Sequence, residues 1–297
     1  MSIVLSYDPR TEPYYGFFIK NGYSYIGHGY MHVVFEKNGI IYKVLRSAFG
    51  TDKDVNRFKF EADMLETVSR YGVPAASVVH IYAPDELIPN YCVLAEKKIL
   101  GKIYSSEELN IKRVCEIQSV LNKVHNISLD FFGPISTPVL QVNTWREYMN
   151  YLIKKAHKIN NILKIDINIQ KVEQYFITQY NYNDKAKFLI LDPNEKNYIF
   201  DSDDNLNGVI DIDHPIAFDP LYEFAGFLYS RPKTFSLMHR AKIIDTKDMP
   251  VIKNYAIIYT LYDLWFRYEK NKCVINKRLD YYIKKATMFL KNSKEIL

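Results

Sequence analysis

The segment from Leu191 to Pro220, LDPNEKNYIFDSDDNLNGVIDIDHPIAFDP, decides how the fold of this chain is interpreted. Asp192 and Asn197 lie five positions apart in it, and Asp211 follows the short apolar run of residues 208–210. The apolar and turn-forming residues between Asn197 and Asp211 predict two short strands joined by a tight polar hairpin. The side chains of Asn197 and Asp211 are therefore predicted to project from one rigid hairpin, with Asp192 one short loop upstream.

This order of polar side chains meets the needs of phosphoryl transfer. One Asp can accept a proton from an acceptor hydroxyl, while an Asn and a second Asp hold a metal ion. The separation of Asp192 and Asn197 is that of the kinase catalytic loop, D-x-x-x-x-N. Mg²⁺ prefers oxygen ligands and keeps several waters, so Asn197 and Asp211 would suffice beside the phosphates. Asp and Asn are also common in ordinary turns, so this interpretation depends on the rest of the chain.

The N-terminal third contains residues that could handle a nucleotide. Lys43 lies in the middle of the apolar strand predicted over Ile40–Leu45, where a lysine is costly unless its ammonium is paired. Glu61 lies on a helix predicted from about residue 54 to residue 71. We expect Lys43 to contact the nucleotide phosphates and Glu61 to orient it. The simpler alternatives are a strand lysine that reaches solvent and a solvated helix carboxylate.

Two glycines precede that strand. Gly27 and Gly29 lie between two apolar runs and are candidates for a loop that covers the phosphates. A glycine pair of this kind is more often a plain turn. The Asn38-Gly39 pair that follows predicts a two-residue hairpin.

These residues together resemble the aminoglycoside phosphotransferase / choline kinase-like family of small-molecule kinases, over roughly residues 20 to 230. The run YCVLAE at residues 91–96, followed by Gly101, resembles the strand and hinge of that family. The runs GVIDIDH at 208–214 and FDPLYEFA at 218–225 resemble its metal-binding strand and the segment after it. The resemblance implies that backbone groups of Ala95, Glu96 and Lys97 hold the adenine base.

The resemblance also implies a fold and a chemistry. The fold would be α+β and bilobal, like a protein kinase, with a small β-rich N-lobe over residues 1–97. A larger, mainly helical C-lobe over residues 98–297 would carry the catalytic loop, the metal site and the acceptor pocket. ATP or GTP would be the phosphate donor, Mg²⁺ the cofactor, and a small hydroxylated molecule the acceptor. An antibiotic, an amino alcohol and a sugar-like molecule all stay open as acceptors, and antibiotic resistance is one implied role.

One position departs from the family pattern. The family usually has H-G-D at the catalytic loop, whereas this chain has Ile190-Leu191-Asp192. A catalytically impaired, nucleotide-binding pseudokinase is therefore one alternative, although Lys43 and the three polar residues of the decisive segment are intact. A protein-kinase-type effector is another alternative. Only seven residues separate Asp211 from Asp219, with no Ser, Thr, Tyr or A-P-E among them, and this favours a small acceptor.

The remaining segments predict mainly helices. Capping-box patterns at Ser105–Glu108 and Thr144–Glu147 each predict a helix start. Apolar spacing predicts further helices over about residues 169–179, 251–269 and 277–291, and the first twenty residues are expected to add a strand or a hairpin. The resemblance implies that helices after residue 140 line the acceptor pocket. Aromatic residues there could line it, although more of them are expected to be core, namely Trp145, Tyr148, Trp265 and Tyr268.

Composition restricts the class of protein. The 297 residues include three scattered cysteines with no C-x-x-C, which fits a reducing compartment. The first residues lack a signal-peptide pattern, and no apolar run approaches a membrane span. We therefore expect a cytoplasmic protein with no membrane partner and, lacking a recognition motif, no nucleic-acid partner. From Leu221 onward Lys and Arg outnumber Asp and Glu, which argues mildly against a polycationic acceptor. The sequence does not bear on oligomeric state.

Overall fold

The computed structural model describes residues 7–29, 31–47, 55–165, 167–192, 194–212, 214–270 and 277–293. The chain divides into two compact units. The first combines Met1–Lys102 with Asn197–Asp213, and the second combines Ile103–Lys196 with His214–Leu297. The boundary predicted from the sequence follows residue 97 and leaves the polar hairpin in the C-lobe. The structure groups that hairpin with the first unit, because Val209 N donates to Pro74 O at 2.7 Å and Ala76 N donates to Val209 O at 3.1 Å.

The first unit is built on a five-stranded antiparallel sheet in the order β1-β2-β3-β5-β4. Its strands are β1 (Ser24–His28), β2 (His32–Lys37), β3 (Ile40–Leu45), β4 (Val78–Tyr82) and β5 (Val93–Lys97). Asn38 and Gly39 join β2 to β3 with φ angles of +54° and +75°, which is the two-residue hairpin that the sequence predicts. Helix α2 (Val55–Arg70) packs Phe58 against Leu45 of β3 and Leu94 of β5.

The N-terminal segment of the first unit contains a helix. The expected strand or hairpin is wrong for the described part of this segment, where α1 spans Tyr15–Lys20. Phe18 of α1 stacks on Phe35 of β2 with ring centroids 4.3 Å apart, and Tyr14 packs in the same cluster. Positions 14 and 18 lie one helical turn apart, so their burial favours a helix over an extended strand.

The hairpin of the decisive segment has the predicted form. Strand β10 (Tyr198–Phe200) pairs antiparallel with β11 (Leu206–Val209), and Tyr198 lies opposite Val209. Asp203 N and Asn205 N both donate to Asp201 Oδ1, at 2.8 and 2.9 Å, and so hold the turn. The short strand β6 (Lys102–Ile103) lies where the chain passes from the first unit to the second.

The second unit is mainly helical. Its helices are α3 (Ile111–His125), α4 (Trp145–Leu163), α5 (Ile169–Thr178), α6 (Leu221–Ser230), α7 (Pro232–Arg240), α8 (Met249–Lys270) and α9 (Lys277–Ser293). A four-stranded sheet has the order β7-β9-β12-β8, with β7 (Ser128–Leu129), β8 (Gly133–Pro134), β9 (Ala186–Leu189) and β12 (Ile216–Phe218). Helix α8 packs against α4, α6 and α9. A β-rich first unit and a helical second unit confirm the predicted α+β, kinase-like fold class.

Two predicted helix starts had different outcomes. Thr144 caps α4 in a full capping box with Glu147, as predicted. The start predicted at Ser105 is wrong. Ser105 N and Oγ do donate to Glu108, but they close an isolated turn, and α3 begins at Ile111 with Asn110 as its N-cap. No helix among the described residues is long and apolar enough to cross a membrane.

Candidate active site

A buried ion-pair cluster lies in the first unit. Lys43 Nζ is 2.7 Å from Glu61 Oε1 and 3.1 Å from Glu96 Oε1, and all three side chains are buried. Strand β3 supplies Lys43, α2 supplies Glu61 and β5 supplies Glu96. The structure therefore brings together the Lys43–Glu61 pair expected from the sequence and adds Glu96 through its side chain. A Lys43 ammonium without these partners would be strongly disfavoured at this depth.

The cluster carries more negative than positive charge. Burial lowers the pKa of Lys43, but Glu61, Glu96 and Asp211 together outweigh it and hold this pKa well above its usual range. The pKa of Glu96 is raised to about 7. Burial is the largest cause, the charges of Glu61 and Asp211 add to it, and Lys43 acts in the opposite direction. Asp211 therefore lies close enough to act electrostatically on both Lys43 and Glu96.

The two proposed metal ligands lie at the open end of the β10–β11 hairpin. Ile210 N donates to Asn197 O at 3.0 Å, so Asn197 and Asp211 leave the hairpin side by side. Asn197 is buried, and Asp211 has a φ of +66°, a left-handed conformation that Asp tolerates better than most residues. One amide oxygen and one carboxylate fit a Mg²⁺ ion that keeps waters and phosphate oxygens. No group of three or more His, Cys, Asp and Glu side chains among the described residues has a metal-binding arrangement.

Asp192 belongs to the second unit, in the loop after β9. Leu191 has a φ of +59°, and its backbone N donates to Glu223 Oε1 at 3.0 Å. The other carboxylate oxygen of Glu223 is 2.7 Å from His125 Nε2. Glu223 is buried in the otherwise apolar helix α6, so its carboxylate fixes the loop backbone immediately before Asp192.

This role of Glu223 was not predicted from the sequence. The sequence does contain a clue, because Glu223 is the single acidic residue inside the apolar run LYEFAGFLY, where a carboxylate needs a partner. Ile190, which occupies the position of the family's His, is buried at 2% exposure. Leu191 occupies the position of the family's Gly in a conformation that favours glycine.

The remaining candidates lie in or next to two strands of the large sheet, β1 and β5. Gly27 is in β1 beside an irregularity in the strand register, and Gly29 N donates to His32 O at 2.9 Å. Within the described residues, a Cβ added at either glycine would meet no atom within 4 Å. Ala95 is buried in β5, and Lys97 N donates to Ser77 O at 2.8 Å. The backbone N–H of Lys97, in the predicted hinge, therefore already donates a hydrogen bond.

A cavity of about 330 Å³ lies within the second unit. Leu191, next to Asp192 in the chain, forms part of its wall, and so does His214. Helices α4, α6 and α8 supply its aromatic side chains. Among the aromatic residues singled out in the sequence, Tyr148 and Trp265 belong to this wall, whereas Trp145 is buried and donates through Nε1 to Tyr255 Oη at 2.8 Å.

Solved structures share the fold of this chain. A mutant of aminoglycoside 2′-phosphotransferase-IIIa in complex with GDP has a TM-score of 0.67 and 13% identity, over 95% of this chain and 96% of that one. A thermostable mutant of the aminoglycoside phosphotransferase APH(4)-Ia, in complex with AMP-PNP and hygromycin B, has a TM-score of 0.58 and 14% identity, over 93% and 97%. A GDP and kanamycin complex of APH(2″)-IIIa has a TM-score of 0.57 and 14% identity, over 92% and 93%.

The fold is thus that of a kinase-like phosphotransferase. More narrowly, the chain has the fold of the aminoglycoside phosphotransferases, and the resemblance found in the sequence is confirmed at the level of the fold. No protein-family model matches the chain, and no curated protein sequence matches it.

Proposed function

We propose that this protein is a phosphotransferase that moves the γ-phosphate of ATP or GTP to a hydroxyl group of a small molecule. The observation that carries the proposal is the buried Lys43–Glu61 pair, with the charge of Asp211 acting on the same ammonium. A lysine held in this way is ready to contact phosphate oxygens, and an acidic side chain beside it is ready to hold a metal ion. The shared fold of solved aminoglycoside phosphotransferases supports it.

Asp192 is the proposed base. Its carboxylate would accept the proton of the acceptor hydroxyl as that oxygen forms a bond to the γ-phosphorus. The bond from the γ-phosphorus to the β–γ bridging oxygen breaks, and ADP or GDP leaves with that electron pair. The hydrogen bond from Leu191 N to Glu223 would keep the loop backbone of Asp192 in place during this step.

The other candidates have binding roles in this proposal. Lys43, oriented by Glu61, would neutralise charge on the α- and β-phosphates, and Gly27 and Gly29 would lie over the phosphates. Backbone groups near Ala95 to Lys97 would hold the base. Because Lys97 N already donates to Ser77 O, we expect carbonyl oxygens to supply more of that contact.

Asn197 and Asp211 would hold Mg²⁺, which supplies charge neutralisation on the transferred phosphoryl group. The donor set of one amide oxygen and one carboxylate supports this assignment. Removing Mg²⁺ with a chelator is expected to abolish turnover while leaving the fold intact, because the hairpin is held by its own backbone pairs.

The pseudokinase alternative is favoured by two observations in the loop before Asp192. Leu191 adopts a left-handed φ beside Asp192, where the related family has glycine, and a buried isoleucine replaces the family's histidine. Such a loop could bind nucleotide without placing Asp192 for proton transfer.

Turnover of ATP and GTP with Mg²⁺, measured against a panel of hydroxylated metabolites and antibiotics, tests the proposal. Asp192→Ala is expected to lower acceptor-stimulated turnover by roughly 10²–10⁴-fold, the usual contribution of a general base. Asp184→Ala, at an exposed acidic residue of the same unit, is the matched control and is expected to retain full turnover. Tight nucleotide binding without turnover on any acceptor would favour the pseudokinase instead.

A further inference from the structure

We propose that the acceptor is an uncharged, ring-shaped hydroxylated molecule, bound in the tyrosine-lined cavity of the second unit. This inference rests on the proposed function, because it names the substrate class of the same reaction. Leu191, one residue before the proposed base, forms part of the cavity wall, so a molecule bound there would have hydroxyl groups near Asp192.

Aromatic side chains dominate the wall of the cavity. The tyrosine and tryptophan residues among them are Tyr148, Tyr151, Tyr222, Tyr259, Tyr262 and Trp265. The three from α8 follow one another at intervals of three residues and so lie on one face of that helix. Aromatic faces of this kind bind the flat or apolar side of a ring. The volume of about 330 Å³ is at the small end of the range for ligand sites, which fits a molecule of one or two rings.

The charges around the cavity do not suit a polycation. Within the part of the chain that the structure describes, Asp263 supplies the only carboxylate of the wall, and Arg267 Nε is 2.9 Å from it. Lys155 Nζ lies 4.2 Å from the centroid of the Trp265 ring and 5.1 Å from that of Tyr151. The one carboxylate of the wall is therefore paired with an arginine, and the Trp265 ring already has a cation over it. Glu269, which accepts from Trp265 Nε1 at 3.1 Å, is in turn paired with Lys158 Nζ at 3.0 Å. A ligand with several ammonium groups would meet repulsion here.

The tyrosine hydroxyls supply neutral hydrogen-bonding groups instead. Burial raises the pKa of Tyr222 well above its usual range, with smaller contributions from Tyr148, Tyr259, Tyr262 and Asp263. The hydroxyl of Tyr222 therefore lies among the other polar groups of the wall and stays protonated.

The hydroxyl group of Tyr222 is buried without a hydrogen-bond partner among the described residues. Its side chain is 1% exposed. A buried hydroxyl without a partner is costly, and a small movement of the wall on binding would let a hydroxyl or ether oxygen of the bound molecule supply the missing partner. Burial and the carboxylates of Asp263 and Asp192 raise the pKa of Tyr259, another member of the wall, which places it within the electrostatic reach of the proposed base.

Tryptophan fluorescence tests the inference without requiring turnover. The chain has two tryptophans, of which Trp265 lies in the wall and Trp145 is buried, with 2% of its surface exposed. Purified full-length protein is titrated, without nucleotide, with the uncharged ring compounds salicin, uridine and coniferyl alcohol, and separately with kanamycin. We expect a saturable change in emission with at least one uncharged compound, lost in Trp265→Phe, and none with kanamycin.

Tyr222→Phe supplies a second, finer measurement. It removes only the hydroxyl, and we expect it to weaken binding of the responding compound by roughly three- to tenfold, as for one hydrogen bond. Tyr281→Phe, at an exposed tyrosine of α9, is the matched control and is expected to bind as the wild type.

Two outcomes would overturn the inference. One is a saturable, Trp265-dependent response to kanamycin, and the other is no saturable response to any of the three uncharged compounds. Both are separable from failure of the proposed function, which is measured by the affinity for Mg²⁺-ATP or Mg²⁺-GTP and its loss in Lys43→Met.

Discussion

In the wild type, we expect the unfolding free energy to fall as the pH rises because of Glu96, and replacing Glu96 by Gln should remove this fall. Glu96 is buried beside Lys43 and close to two further carboxylates, Glu61 and Asp211. Its pKa rises from the ordinary value of 4.5 to about 7, so the folded protein holds a proton there that the unfolded chain has released. Glutamine resembles the protonated form and can still accept a hydrogen bond from Lys43.

The sign and size follow from linkage between protonation and folding. A carboxyl whose pKa is raised in the folded state contributes stability that is full below about pH 4.5 and is lost as the pH rises through about 7. The shift of about 2.5 units, at about 1.36 kcal/mol for each unit, corresponds to about 3 kcal/mol. Between pH 5 and pH 8 the wild type should therefore lose up to about 3 kcal/mol of unfolding free energy that Glu96→Gln keeps.

Urea unfolding followed by far-UV circular dichroism at pH 5, 6, 7 and 8 measures this difference. Glu66→Gln changes an exposed carboxylate on the same unit and should follow the wild-type pH dependence. If wild type and Glu96→Gln show parallel curves of unfolding free energy against pH, Glu96 is ionised throughout in the folded protein. The environment of the Lys43 cluster would then not raise the pKa of Glu96.

Three further changes test other parts of the structure. Glu223→Gln removes the charge that holds the loop before Asp192, and we expect a fall in kcat of at least tenfold with unchanged nucleotide affinity, measured by steady-state kinetics and calorimetric titration. Leu191→Gly should be more stable to urea than Leu191→Ala by about 1 kcal/mol, because glycine tolerates the φ of +59°. Gly101→Ala, at a φ of +144° and with the new Cβ against Phe200 O, should lower the thermal unfolding midpoint by several degrees more than Gly22→Ala, measured by scanning calorimetry.

Each of these has an outcome that contradicts it. Unchanged kcat in Glu223→Gln would mean that the loop does not depend on that carboxylate. Equal stability of the two Leu191 variants would mean that the left-handed φ costs nothing. Equal midpoints for the two glycine variants would mean that the close approach at Gly101 relaxes freely.

Sequence reasoning succeeded where a local pattern determines the local structure. The Asn38-Gly39 dipeptide specified its own turn, and an apolar strand with a central lysine required a buried partner, which α2 supplies through Glu61. The polar turn between β10 and β11 likewise follows from Asp201, whose carboxylate binds the backbone of residues 203 and 205. In these cases the deciding contacts lie within a few residues or follow from one required pairing.

Features that depend on contacts between residues far apart in the chain could not be predicted from the sequence. Ser105 and Glu108 make a capping interaction, but the helix that follows needs Asn110 and begins later, so the motif alone does not fix the start. The side chain of Glu96 turns toward Lys43, 53 positions away, which no periodicity reveals. Glu223 meets His125 across 98 positions, and only the mismatch of a carboxylate in an apolar helix could have drawn attention to it.

The discontinuous course of the first unit has a consequence for how the protein is made. During synthesis, residues up to Lys102 emerge long before the hairpin of Asn197–Asp213 that belongs with them. Until then the backbone groups Pro74 O and Ala76 N lack Val209, the residue that pairs with both in the finished molecule. We therefore expect the N-terminal hundred residues to reach their final structure only after the hairpin has been made, and a fragment ending at Lys102 to express poorly as a folded protein.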